Sequence, residues 1–387
     1  MTNLYDVAVV GAGPSGSYAA AQLAEEGHRV IVFERRSTIA ERVCCTGIVG
    51  RECIERFELP PQTISREASS ATFYSPAGKA LHVRKNQAQA YVVDRGALDK
   101  ALAQGAQKNG AKYLFSTRVC DIHPENGRVL LKVEQEGHTQ DFESRAAIIS
   151  SGFGGALCER LGLGRIGDFV LGAQAEVETN AAEVEVYLGQ GVAPGFFAWL
   201  VPTSGGRGLA GLLTRRSPRA FLLDFLSMLE ARGKIRLPAG NFAYGGIPLA
   251  TLPKTYSERT LVVGDAAGQV KPTTGGGIYY GLIAARHAVA TVQAAFEKGD
   301  LSARGLAGYE RKWKEDLENE LRIGQVARRL YESLSDKRLE HIFEVAASNG
   351  IHEEILTSSG FSFDWHASAI LEAFKHKKMR RILWSLS

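Results

Sequence analysis

The sequence predicts an α/β (α+β) protein in which a Rossmann-like domain is interrupted by a sheet-based domain and followed by a helical carboxyl-terminal region. Three observations carry that expectation. An apolar strand runs straight into GAGPSG at residues 11–16; a second strand, turn and helix, LVVGDAAG then KPTTGGGIYYGL, lies far along the chain; and between them residues 170–253 form short alternating strands rich in glycine. A chain of 387 residues is long enough to bury a substantial core in two or three intimate domains.

Composition narrows the class. Hydrophobic residues make up 45% and charged residues 23%, with a net charge of +4, and no apolar run approaches the length of a membrane span. No dense basic stripe with interleaved aromatics occurs, which argues against nucleic acid as a partner. The amino terminus, MTNLYDVAVVGAG, lacks the basic region and cleavage site of a secretory signal. Five cysteines without zinc-like spacing suit a reducing cytoplasm better than a disulfide framework, and they suggest no metal site.

The first strand and GAGPSG are followed by SYAAAQLAEEG at helical spacing. Gly11 permits a tight turn, Gly13 lets backbone N–H groups approach a pyrophosphate, and Gly16 allows close packing of helix on strand. The helix N-terminus favours phosphate charge. A second strand, HRVIVFERR, ends in Glu34, at the distance from which a carboxylate bonds a ribose hydroxyl. This unit points to a dinucleotide but does not separate FAD from NAD.

The second unit makes that distinction. LVVGDAAG resembles the second flavin motif of the FAD-dependent oxidoreductases of the para-hydroxybenzoate hydroxylase type. KPTTGGGIYYGL resembles, more narrowly, the geranylgeranyl reductase family (digeranylgeranylglycerophospholipid reductase-like), whose members saturate isoprenoid double bonds. The resemblance implies that Asp265, after Gly264, bonds the ribitol chain, that Ser15, Gly277 and Ile278 belong to the cofactor site, and that Arg95 lies beside the ribityl and phosphate portion. It also implies that Val119 lies near the adenine. The residues alone leave other readings open: Asp265 as a helix-capping carboxylate, and Arg95 as a surface charge at a helix start. Gly275, Gly276 and Gly277 open the following helix, so their N–H groups and its dipole can stabilise negative charge on a reduced isoalloxazine. Ser151-Gly152 replaces the aspartate-glycine pair usual in the superfamily, so direct use of NADPH does not follow from the hydroxylase pattern.

The central stretch contains PGFFAWLVP, similar to the reductases' tyrosine-x-tryptophan-x-phenylalanine-proline motif, with Phe197, Trp199 and Pro202 at the matching positions. Phe197 lacks the tyrosine hydroxyl and Val201 replaces an aromatic residue. An aromatic channel suits a polyisoprenoid, whose affinity must come from buried apolar area. The pattern alone equally describes a strand whose aromatics fill a core, and flavin halogenases carry a similar motif.

RVCCTGIVG, residues 42–50, follows the second strand. The resemblance, aligned on Arg42 and Gly47, sets Cys44 at the family's cysteine position and Cys45 where glycine is usual. Cys44, Cys45 and Gly47 are therefore expected at the flavin. Reducing an alkene requires a hydride equivalent at one carbon and a proton at the other; reduced flavin N5 delivers the first, and Cys44 is the expected catalytic residue for the second, since apolar burial keeps a thiol protonated. Buried inert thiols are the common alternative. A disulfide between adjacent cysteines would be strained, and Cys53 could pair with Cys45 only if the loop folds back. Cys120 and Cys158 read as packing residues.

The expected division is a discontinuous FAD-binding domain at 1–60, 91–160 and 254–300, a substrate domain at 61–90 and 161–253, and helices at 301–387. The carboxyl-terminal FKHKKMRRILWSLS sets basic residues beside Phe374, Ile382, Leu383 and Trp384, compatible with peripheral contact at the inner face of the membrane as well as with a solvated tail. The function expected is FAD-dependent saturation of isoprenoid carbon–carbon double bonds in a lipid, quinone or pigment precursor. NADPH or a ferredoxin-like protein is the expected reductant. A flavin monooxygenase or halogenase of the same fold, or an electron-carrier flavoprotein, are the alternatives.

Overall fold

The computed structural model describes residues 4–41, 43–237, 242–358 and 360–376. The chain starts with β1 (Tyr5–Val10), α1 (Pro14–Glu25) and β2 (Val30–Phe33), then passes through the cysteine segment into β3 (Ile48–Gly50) and α2 (Arg51–Arg56). Strands β4 (Ile64–Ala68), β5 (Ser70–Tyr74), β6 (Ala80–Arg84) and β7 (Ala90–Val93) precede α3 (Arg95–Lys108) and β8 (Lys112–Leu114). A meander of β9 (Thr117–Glu125), β10 (Arg128–Gln135) and β11 (His138–Ile149) leads through α4 (Leu157–Arg160) to β12 (Phe169–Thr179), β13 (Val184–Leu188), β14 (Phe197–Pro202), β15 (Arg207–Thr214), α5 (Pro218–Ala231), β16 (Ile235–Arg236) and β17 (Phe242–Pro248). Then come β18 (Tyr256–Ser257), β19 (Thr260–Val262) and helices α6 (Ile278–Lys298), α7 (Ala303–Leu306), α8 (Gly308–Ser333), α9 (Asp336–Ser348), α10 (Ile351–Thr357) and α11 (Ala367–Lys375).

Alternation within each central strand explains the first sheet, ordered β18-β19-β11-β1-β2-β8 with β1, β2, β8, β11 and β19 parallel. Val7, Val9, Val30, Val32, Ala146 and Ile148 enter one core, under α1 and α6. Their neighbours Ala8, Val10, Ile31, Phe33, Ala147 and Ile149 enter a second core, against the β9–β10 meander. Strands buried on both faces read as continuous apolar runs, as these do. The meander turns at Asn126 and Gly127, both with positive φ (45° and 81°), the backbone an Asn-Gly hairpin requires.

The second sheet is ordered β16-β12-β15-β14-β13-β5-β6, with β17 on β12. One face, with Ala173, Ala175, Leu200 and Leu212, is covered by Leu222, Phe225, Leu226 and Leu229 of α5. Its other face turns toward the first domain. A small third sheet, β3-β7-β4, holds the exit of the cysteine segment. Here β4 departs from the expected division: residues 64–68 pair with β7, not with the second sheet, because Asp94 N donates to Thr63 O (2.8 Å) and Ser65 Oγ to Val92 O (2.8 Å), tying that stretch to the start of α3.

Helix α8 packs an i, i+4 stripe of Tyr309, Trp313, Leu317 and Leu321 into the first core, each at most 4% exposed. Trp313 Nε1 donates to Thr255 Oγ1 (2.9 Å) and Tyr309 OH to Val262 O (2.6 Å), so the helix is fixed by polar as well as apolar contact. Among the described residues no helix is long and apolar enough to cross a membrane. Arg42 and the tail residues Ile382, Leu383 and Trp384 lie outside the described residues. Trp313→Ala should lower the free energy of unfolding by about 3–5 kcal/mol, measured by chemical denaturation, since it empties a buried volume and removes the indole donor from Thr255 Oγ1.

Candidate functional site

The site begins where the chain's two glycine-rich turns meet. Gly11 takes φ +105°, and a Cβ there would stand 2.5 Å from Ser150 O; one on Gly16 would stand 2.1 Å from Gly11 O. These glycines let α1 press against the ends of β1 and β11. A Cβ on Gly13 would meet nothing within 4 Å, so that position borders open space. The N–H groups of Gly13, Ser15 and Gly16 find no protein acceptor among the described residues, and no side chain caps α1. Ser15 projects toward the second turn: its Oγ lies 3.0 Å from a Cβ built on Gly264 and 2.4 Å from one on Gly281.

Glu34 sits at the end of β2 and accepts Ala12 N (2.9 Å) and Arg36 N (3.0 Å), so the carboxylate also closes the first turn. Val119 is buried in the second core, two residues beyond Thr117, whose N–H donates to Glu34 O (2.8 Å). Asp265 opens the 3₁₀ turn after β19. Its half-buried carboxylate has no hydrogen-bond partner among the described residues; burial pushes it above the ordinary carboxylate range and the Arg95 guanidinium opposes this. A Cβ on Gly277 would lie 2.6 Å from Asp265 Oδ1, so glycine there lets the carboxylate lie against the head of α6. Among the described residues the N–H groups of Gly276 and Gly277 find no protein acceptor, while Ile278 sends its side chain into the core. Beside Ala266, a cavity of about 200 Å³ opens under the 151–155 loop, where Cβ atoms on Gly152 and Gly154 would meet nothing; the thiol-bearing Cys158 lines it.

Free backbone donors at two helix N-termini, an unpartnered carboxylate between them and a glycine facing open space are what a dinucleotide with an anionic pyrophosphate and a hydroxyl-rich linker requires. The residues therefore fit FAD.

The cysteine segment crosses from this groove to the second sheet. Gly47 takes φ +73°, with its would-be Cβ 2.2 Å from Val93 O, and Val93 N donates to Gly47 O (2.8 Å), so the segment is pinned to β7. Its two thiols point to different surroundings. Cys45 packs on the first core and lies beside Arg95, whose guanidinium grips Asp99 through Nε and Nη2 (3.0–3.2 Å). Cys44 lies on the second sheet: its Sγ is 3.6 Å from a Cβ built on Gly172, its Cβ is 3.5 Å from one built on Gly245, and Sγ donates to Ala243 O (3.5 Å). Gly172 and Gly245 are direct partners across β12 and β17. Burial, with Cys45 adding to it, pushes the Cys44 thiol up to about 12. All five cysteines are free thiols.

The same sheet face carries the aromatic motif. Register puts Gly172, Gln174, Gly211, Leu213 and Trp199 on it together. Trp199 lies over Gly211, whose Cβ would stand 2.7 Å from Cζ2, and the Trp199 Nε1 is buried without a partner among the described residues. Phe197 meets Trp199 edge-on (6.1 Å, 68°); both are half-buried and, like Ile247, pack against a cluster that includes Leu213. A Cβ on Gly275 would touch Leu213 (2.7 Å) and Ile247 (3.3 Å), so this apolar patch abuts the turn at the head of α6. Pro202 is buried at the far end of β14, away from that patch. Gln174 is the polar exception on the face: it accepts Thr46 Oγ1 (3.1 Å) and donates to Cys45 O (3.5 Å). Its polarity in the run VLGAQAEV was the available signal for it, as the i, i+4 spacing was for Asp99.

Residues 5–179 match the family model described as pyridine nucleotide-disulphide oxidoreductase. The chain is 32% identical over 358 residues to digeranylgeranylglycerophospholipid reductase of Methanocaldococcus jannaschii, covering 89% of this chain and 91% of that one. It superposes with TM-score 0.86 and 24% identity on a geranylgeranyl bacteriochlorophyll reductase-like protein of Thermoplasma acidophilum, all of both chains being covered. With the halogenase PltM in complex with FAD the TM-score is 0.71 at 13% identity, covering 99% of this chain and 86% of that one, a likeness of fold.

With a thiol held near 12 against an ordinary 9.0, Cys44 should react with iodoacetamide about a thousandfold more slowly at pH 8 than an unperturbed cysteine, as peptide mass spectrometry can follow. The raised value also has a stability consequence. The folded chain holds this proton more tightly, so the contribution is full below pH 9.0 and is lost as pH rises toward 12; Cys44→Ala should flatten the alkaline fall of the unfolding midpoint.

Proposed function

The chain belongs to the digeranylgeranylglycerophospholipid reductase-like family of FAD-dependent oxidoreductases, and from that premise we propose that it saturates carbon–carbon double bonds of a geranylgeranyl or related isoprenoid chain, with Cys44 as the proton donor. The observation that carries the reading is the Cys44 thiol, half-buried and protonated on a glycine-paved apolar sheet face that abuts the turn at the head of α6.

In this reading the free N–H groups of Gly13, Ser15 and Gly16 hold the pyrophosphate of FAD, Glu34 its adenine-side ribose, and Asp265 and Arg95 its ribityl portion. Val119 walls the adenine side. Gly47, Cys45, Gly277 and Ile278 border the ring through backbone. Bound FAD in its reduced form supplies a hydride equivalent from ring nitrogen N5.

The chain's residues do the rest. Phe197, Trp199, Leu213 and Ile247 offer apolar surface to a prenyl chain, each Å² removed from water contributing about 25 cal/mol, while the absent side chains at Gly172 and Gly245 let Cys44 lie close on the same sheet face. The proton leaves Cys44 Sγ for the alkene carbon that does not receive the hydride, and the thiolate then regains a proton from solvent. Gln174 orients the segment through Thr46 and the Cys45 carbonyl. Two electrons are consumed per bond saturated, and we propose NADPH or a ferredoxin-like protein as their source. Contact with the membrane that holds such a substrate is part of the same reading.

Incubating the FAD-loaded enzyme with reductant and geranylgeranylated lipid, without oxygen, should yield two-hydrogen mass increments per bond. A requirement for oxygen would favour a monooxygenase or halogenase instead. Cys44→Ala should keep the flavin spectrum and lower kcat about a hundredfold or more; parental turnover in that variant would remove Cys44 from the mechanism.

A further inference from the structure

Behind the 275–277 turn lies a buried ion pair that the reaction as described does not use. Lys271 is 4% exposed and Asp364 is 1% exposed. The Lys271 backbone closes the turn in both directions: its N–H donates to Gly276 O (3.0 Å) and its carbonyl accepts Gly275 N (2.8 Å). Its side chain then runs beneath the turn. A Cβ built on Gly276 would stand 3.1 Å from Lys271 Cε and 3.8 Å from Nζ. The ammonium donates to Phe363 O (3.1 Å), faces the rings of Phe363 and Tyr280 at 5.0 and 5.9 Å, and reaches Asp364 Oδ1 only at 3.8 Å.

Asp364 spends its oxygens elsewhere. Oδ1 accepts Gly50 N (3.0 Å) and Oδ2 accepts Cys53 N (3.3 Å), at the exit of the cysteine segment. The flanking residues lock this arrangement. Glu320 accepts His366 N and Ala367 N (both 2.9 Å), and His366 Nε2 donates to Phe363 O (2.9 Å) while its Nδ1 accepts Thr273 Oγ1 (2.6 Å). The imidazole is neutral there, burial and Lys271 pushing it down to about 3. A cation withdrawn from water costs several kcal/mol unless its surroundings answer it: burial pushes Lys271 down and Asp364 up, and each charge opposes the other's shift.

We propose that Lys271 and Asp364 form a polarising pair that sets the reduction potential of FAD bound against the 275–277 turn, the ammonium favouring the electron-rich reduced flavin and the carboxylate holding the ammonium in check. The proposal rests on the reading that FAD binds at this turn. Lys271 acts through the turn, and Gly276 is glycine because a side chain would meet the lysine stem. Asp364 also positions the turn relative to the cysteine segment, since one carboxylate is shared between them.

The test is the midpoint potential of the FAD-loaded enzyme, read from the flavin spectrum against a redox dye. Lys271→Met should bind reduced relative to oxidised flavin at least tenfold less favourably, a drop of about 30 mV or more for this two-electron couple, and Asp364→Asn should move the potential upward. Opposite signs are the signature: a structural role would shift both variants alike or neither. The double variant, with no buried charge, should lie below the parent by less than Lys271→Met does. If one single variant does not fold, the remaining one and the double variant decide by sign; no shift, or a shift of the wrong sign in any FAD-binding variant, overturns the proposal. A parent that binds FAD but leaves prenyl chains unsaturated would refute the reductase reading and leave these signs as the measure of the pair. A parent that does not bind FAD would refute both.

Discussion

Everything in this molecule depends on one close approach: the head of α1 against the ends of β1, β11 and β19. Gly11, Gly16, Gly264 and Gly281 have no side chains because Ser150, the Gly11 carbonyl and Ser15 occupy the space they would need. Adding a Cβ at Gly16 would meet the Gly11 oxygen at 2.1 Å, far inside contact distance, and only backbone movement would relieve it. That packing aligns two helix N-termini on one groove and leaves their first N–H groups without an acceptor among the described residues. An array of oriented donors with no acceptor is unfavourable unless water or an anion meets it, so this close-packed junction fits the pyrophosphate of a dinucleotide.

The second sheet is shaped by glycine in the same way. On its α5 face, residues such as Leu200 and Leu212 fill a conventional core. On the opposite face Gly172, Gly211 and Gly245 remove side chains where Cys44 and Trp199 must lie close on the strands. Glycine weakens a strand, and this sheet tolerates three because the cysteine segment, the indole and the turn at residue 275 supply the missing contacts. The cost in strand stability yields a shallow apolar surface with one protonated thiol on it.

The carboxyl-terminal residues 363–367 complete the arrangement from behind. They touch the KPTT loop through Lys271 and Thr273, the cysteine segment through Gly50, α2 through Cys53, and α8 through Glu320. A buried ion pair contributes little to net stability when compared with apolar packing, so its retention is better understood through what its field does than through what it holds together. Trp365, donating to Glu52 Oε2 (2.6 Å) and packed on Tyr279 and Tyr280, seals it from water.

The sequence by itself determined the Rossmann-like unit, the second flavin motif, the Asn-Gly hairpin and the amphipathic α8, because each is written in spacings of a few residues: period two for strands, three to four for helices, glycine where φ must be positive. It also carried the family likeness of the cysteine segment. It could not say which of two adjacent thiols faces which domain, since adjacent residues of an extended segment point opposite ways and only the partners of that segment break the tie. Those partners, Gly172 and Gly245 for Cys44 and Arg95 for Cys45, lie on strands and a helix brought in from elsewhere in the chain. Likewise Asp364 reads locally as one acid in FSFDWHAS, and Lys271 as one base in a turn. Tertiary structure alone made them a pair, because burial of opposite charges depends on which distant backbones close around them and shut out water.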